Sequence, residues 1–115
     1  MPAKPTKPTS SILDEVYAVI ESRRGGDAKK SWTARLLLEA PQLPARKLGE
    51  EAAEAVVAAM QGDRKLLVAE AADVMYHLLV VLAAADIPLE ELWNELAERR
   101  KQSGVDEKSA RDNQA

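Results

Sequence analysis

Residues Lys47–Leu82 read KLGEEAAEAVVAAMQGDRKLLVAEAADVMYHLLVVL. Two runs rich in Ala, Val, Leu and Glu flank Gly62-Asp63, a pair that marks a turn between helices. The spacing predicts one helix from about Ala45 to Gln61 and another over roughly Arg64–Ala85, folded back antiparallel to the first. No alternation of apolar and polar residues supports a strand. This hairpin makes the chain all-α.

Outward from the hairpin, the remaining segments add short amphipathic helices. Ser10 or Ser11 can cap a helix carrying Ile12, Leu13, Val16, Tyr17 and Ile20, which Gly25-Gly26-Asp27 ends. Ser31 is a second N-cap, opening a short helix through Trp32, Leu36 and Leu37 that must stop before Pro41. Gln42–Pro44 reads as a connection. Pro88 opens a fifth helix bearing Leu89, Leu92, Trp93 and Leu96, which runs to about Lys101. The expectation is a bundle of about five helices over residues 11–101. A disordered segment (1–10), rich in Pro and Lys, precedes it, and a polar tail (102–115) follows.

With 115 residues the chain fits one domain. Two Trp, two Tyr and no Phe leave packing to Ala, Leu and Val, which suits closely approaching helices. The net charge of −3 argues against a nucleic-acid binder, which needs a basic excess. The absence of cysteine excludes disulfides and thiolate metal sites and fits a cytoplasmic setting. Met1–Ser10 lacks the apolar core of a secretory signal. Leu78–Ala85, the longest uninterrupted apolar run, is too short to span a bilayer, so a soluble protein without a membrane partner is expected. Val74-Met75 and Leu78–Leu82 make the fourth helix apolar on nearly every side, so it is expected to be buried all round. Part of that surface would meet a second copy, by default in a twofold dimer.

Acidic residues converge on the hairpin. At ~100° per residue, Lys47, Glu50, Glu51 and Glu54 fall within an arc of about 100° on one helix. Glu70 and Asp73 are three apart and share a face of the next helix, with His77 close to Glu70. Glu54 and Glu70, and likewise Glu51 and Asp73, are matched across the turn, so both pairs stand roughly 12 Å from it at ~1.5 Å per residue. Taken alone, KLGEEAAE is an ordinary solvated face. The mirrored ExxD makes a metal site the better reading, because converging carboxylates repel unless a cation neutralises them. An oxygen-only donor set suits magnesium, which shares its shell with substrate phosphates.

The pattern EExxE followed across a hairpin by ExxD resembles the signature of the all-α nucleotide pyrophosphohydrolases. More specifically, SWTARL (Ser31–Leu36), KLGEEAAEAVVAA (Lys47–Ala59), EAADVMYHLLVVL (Glu70–Leu82) and SGVDEKSAR (Ser103–Arg111), in that order, are similar to segments of the phosphoribosyl-ATP pyrophosphatase family. Glu39–Ala45 is the stretch least like it. The resemblance implies Mg2+-dependent hydrolysis of 1-(5-phosphoribosyl)-ATP to 1-(5-phosphoribosyl)-AMP and pyrophosphate, the second step of L-histidine biosynthesis, by a homodimer or higher homo-oligomer. It implies Glu51, Glu54, Glu70 and Asp73 as metal ligands, and Glu50 as a further ligand or as general base for the hydrolytic water. For Lys47, a phosphate contact and a helix salt bridge to Glu51 both stand. Arg35, Lys108 and Arg111 are candidate phosphate contacts, with exposed solubilising charge as the alternative for each. Ser31 is read as a cap, and Trp32 and Tyr76 as core or interface residues. His77 is read as a structural hydrogen-bonder rather than a ligand. Without the Cys and His clusters of a zinc cyclohydrolase, an enzyme for one step is expected. The competing readings are a house-cleaning nucleoside triphosphate pyrophosphohydrolase and a non-catalytic acidic helical dimer that binds a partner.

Overall fold

A computed structural model describes residues 8–101. Five helices follow one another: α1 (Ile12–Ser22), α2 (Trp32–Leu38), α3 (Gln42–Gln61), α4 (Arg64–Ala84) and α5 (Leu89–Arg99). No strand occurs among the described residues. The all-α architecture is as the sequence predicts.

Helix α3 and α4 form the antiparallel hairpin, and α1 and α2 also pack on α4. The corner is two residues long. Gly62 closes α3 in the left-handed region at φ +72°, which a residue without Cβ adopts freely. Asp63 then caps α4, its carboxylate accepting a hydrogen bond from the Leu66 N–H at 3.0 Å.

One boundary differs from expectation. Helix α3 starts at Gln42 rather than near Ala45, so the predicted connection Gln42–Pro44 is helical. Pro44 lies in the first turn, where a backbone N–H has no intrahelical acceptor and its loss costs nothing. Bonds from Leu43 N to Glu39 O (3.1 Å) and from Ala45 N to Pro41 O (3.1 Å) carry the chain from α2 into α3. Leu43 and Pro44 are buried.

The core is made by Ile20, Leu36, Leu43, Leu79, Val80, Ala83 and Leu89, with Leu13, Val16, Tyr17, Tyr76 and Trp93 packed against it. Two long-range bonds fasten α1 to the far end of α4. Arg24 donates to the Ala83 carbonyl at 2.6 Å, placing a cation where the helix dipole is negative, and Tyr17 donates to the Ile87 carbonyl at 2.8 Å.

Within the single chain, helix α4 is only partly buried. His77, Leu79, Val80 and Ala83 are buried, whereas Met75 and Leu78 are exposed. Its 21 residues, with a mean hydropathy of 1.9 over the most apolar stretch, are long and apolar enough to cross a membrane. Judging only the uninterrupted run Leu78–Ala85 missed this property. Packing against α1, α2 and α3 covers only part of this apolar surface.

Candidate active site

Helical periodicity and the Gly62-Asp63 corner bring α3 and α4 together with their acidic faces meeting. Glu51, Glu70 and Asp73 each present one oxygen, all within 4.8 Å of one another. Three of the four carboxylates expected to meet are thus gathered, and Glu54 is near enough for its charge to act on Glu51 and Glu70. Glu51 and Glu70 are half-buried, and Glu70 Oε2 is buried without a hydrogen-bond partner.

The cluster is electrostatically strained. Burial first, then the neighbouring charges of Glu54 and Asp73, push the Glu51 carboxyl above its usual range. Burial, then Glu54, Asp73 and Glu51, raise Glu70 in the same way. A carboxyl raised in the folded state holds its proton more tightly there than in the unfolded chain. Its favourable contribution is therefore present at acid pH and is lost as pH climbs through the ordinary carboxylate range to the raised folded value. In a chelator, thermal stability is thus expected to rise as pH falls from neutrality toward that range. Differential scanning calorimetry across pH reads this slope, and a chelated protein that only loses stability over that window contradicts it. Glu50 has the opposite sign, because its carboxyl is lowered, but it titrates below this window.

The other predicted positions are placed as follows. Lys47 Nζ donates to Glu50 Oε2 at 3.0 Å and lies 3.8 Å from Glu51 Oε1, so the salt bridge to Glu51 exists and a closer one to Glu50 accompanies it. That bond, with Arg46 at 3.7 Å, holds Glu50 ionised and outside the cluster. Arg35 pairs with Glu39 at 2.8 Å and lies 5.8 Å from the centre of the Trp32 ring. Lys108 and Arg111 fall outside the described residues. Ser31 caps α2 by accepting from the Ala34 N–H at 3.1 Å.

Sequence reasoning did not find a link between α2 and α4. The Thr33 hydroxyl is hydrogen-bonded to the Tyr76 hydroxyl. The Tyr76 ring in turn meets the His77 ring edge-on, with centroids 4.9 Å apart. His77 itself is buried, and its Nδ1 donates to the Asp73 carbonyl at 2.8 Å. The residues are 43 apart, and no local signal joins them. Beside the cluster, a pocket of about 390 Å³ is lined by Ala53, Glu54, Val57, Leu66 and Glu70, among others. Carboxylates and aliphatic side chains share its lining.

The two-helix corner thus gathers carboxylates into one oxygen-only cluster beside an open and partly apolar pocket. The family model for phosphoribosyl-ATP pyrophosphohydrolase matches residues 13–100, and the chain belongs to that family. It is 54% identical over 101 residues to the phosphoribosyl-ATP pyrophosphatase of Ruegeria pomeroyi, covering 88% of this chain and 96% of that one. With the phosphoribosyl-ATP pyrophosphatase of Methylobacterium nodulans it shares 53% over 103 residues, 90% of this chain and 96% of the relative. The corresponding protein of Rhodobacter capsulatus is 50% identical over 101 residues, 88% and 98% of the two chains.

Proposed function

We infer that the protein hydrolyses 1-(5-phosphoribosyl)-ATP to 1-(5-phosphoribosyl)-AMP and pyrophosphate, in the second step of L-histidine biosynthesis. The observation that carries the reading is the junction of Glu51, Glu70 and Asp73 on the family's hairpin. Their oxygens form a hard donor set, and the buried, unpartnered Glu70 Oε2 is an acceptor waiting for a cation. Both features fit Mg2+, which Glu51, Glu54, Glu70 and Asp73 would hold. The ion supplies neutralisation of the triphosphate charge and acidification of water.

The chain's own groups supply the rest. Glu50 stays ionised because Lys47 holds its carboxyl low, which is the charge state that a base toward water requires. Taking the proton of the attacking water means exchanging its bond to Lys47 for one to that water. Lys47 is then released toward a phosphate, with Arg35, Lys108 and Arg111 as further phosphate contacts. Water oxygen bonds to phosphorus, the P–O bond between the α and β phosphates breaks, and pyrophosphate leaves. The pocket lined by Ala53, Val57 and Leu66 gives the organic part of the nucleotide an apolar wall.

We place this reaction in the cytoplasm and in a homodimer. The hairpin exposes Val56, Met60 (84%) and Val68 (66%), and an apolar groove of about 450 Å³ between α1 and α4 includes Ile12, Val16 and Met75. Water is a poor neighbour for so much aliphatic surface in a small domain. Replacing Met60 and Val68 together with Glu is expected to halve the mass seen by light scattering. A parent that already runs as a monomer ends the dimer reading.

The activity is tested by pyrophosphate release from phosphoribosyl-ATP against a panel of canonical and noncanonical nucleoside triphosphates. Preference for phosphoribosyl-ATP, together with growth of a histidine-requiring strain, supports the assignment. Preference for a free triphosphate overturns it in favour of the house-cleaning activity.

A further inference from the structure

Two buried side-chain atoms among the described residues lack a hydrogen-bond partner: Glu70 Oε2 and His77 Nε2. A buried acceptor is costly to leave unsatisfied, so such atoms normally mark an ion or an ordered water. Glu70 Oε2 belongs to the metal cluster. His77 Nε2 has no role yet.

The ring's orientation is fixed from two sides. A carbonyl can only accept, so the contact at 2.8 Å between Nδ1 and the Asp73 carbonyl makes Nδ1 the protonated nitrogen. In the neutral ring, Nε2 then carries a lone pair. Tyr76 braces the imidazole edge-on, and the Thr33 hydroxyl holds Tyr76. His77 follows Asp73 by one helical turn and Glu70 by two on the same face of α4, yet its nitrogens stand outside the set of ligand oxygens that lie within 4.8 Å of one another. A buried lone pair on the helix face that carries the cluster calls for a donor.

We propose that His77 is a positioning residue of this centre, its Nε2 accepting a hydrogen bond from a water held at the Glu51–Glu70–Asp73 cluster. The inference rests on the metal site proposed above. Thr33, Tyr76 and His77 then form one buttress running from α2 to that water. An imidazole accepting in this way fixes where the water's second proton and its remaining lone pairs point.

Mn2+ is the probe, titrated into the full chain and followed by electron paramagnetic resonance. His77→Asn keeps an amide near the Nδ1 position but removes the acceptor at Nε2. His77→Gln returns an acceptor close to the Nε2 position. Loss of a group that orients a metal's shell weakens affinity about 10- to 100-fold, so the Asn variant is expected to lose that much and the Gln variant to recover most of it. Melting in chelator checks that both variants fold. Mn2+ bound as tightly by folded His77→Asn as by the parent overturns the proposal. So does a spin-echo signature of nitrogen bonded directly to Mn2+ in the parent, since His77 would then be a ligand. If His77→Asn does not fold, His77→Gln decides: near-parental affinity supports the role, and affinity weakened by ten-fold or more overturns it. A parent that binds no Mn2+ overturns the metal site as well, which separates the two failures.

Discussion

In Glu70→Gln, pyrophosphate release from phosphoribosyl-ATP is expected to fall by at least about 100-fold, more than the loss typical of groups that only orient a ligand. The same variant, freed of metal, is expected to melt no lower than the parent. Both outcomes follow from one arrangement. Glu70 is pressed against Glu54, Asp73 and Glu51, so its charge opposes folding until a cation joins them. An amide of the same shape relieves the repulsion and cannot replace the charge. Steady-state kinetics and calorimetry in chelator read the two halves separately. If the variant loses activity and also melts well below the parent without metal, Glu70 holds the hairpin together and its part in the chemistry is unproven. If activity survives, the cluster is not the catalytic centre.

A second large effect lies in the core. Leu36 on α2 is fully buried, among the residues that join α1, α3, α4 and α5. Leu36→Ala is expected to destabilise the protein by about 2–5 kcal/mol, combining lost transfer energy with the cavity left behind. Domains of this kind have only about 5–15 kcal/mol in total, so the variant approaches the threshold of folding. Urea denaturation at fixed protein concentration measures it, because self-association also contributes to apparent stability. A loss under about 1 kcal/mol would mean that α2 collapses onto the gap, which its short length would permit.

What could be read beforehand and what could not divides along physical lines. The hairpin was legible because Gly62-Asp63 interrupts two periodic runs, and the antiparallel register follows from rise per residue alone. Glu51, Glu54, Glu70 and Asp73 could therefore be matched across the corner before any coordinates existed. Side-chain pairing was harder. Lys47 is three residues from Glu50 and four from Glu51, and helical spacing permits either bond. The rotamers give it both, the shorter to Glu50. The start of α3 was misplaced because Gln42–Pro44 was read as a connection, although the first turn of a helix tolerates Pro44. Which apolar residues of α4 pack within the chain could not be read, since composition does not say which faces find partners in it. Thr33 and Tyr76 could not be joined, because contact between distant segments depends on how α2 is laid on α4.

The brevity of the corner at Gly62-Asp63 bears on how the molecule is made. Residues that form the acidic centre come from two consecutive helices, so little loop entropy is spent in bringing them together. Chains dominated by such local encounters fold fast, helical ones in microseconds to milliseconds. The centre can therefore take shape early on the ribosome-released chain, before α1 and its Arg24 and Tyr17 latches close over the far end of α4.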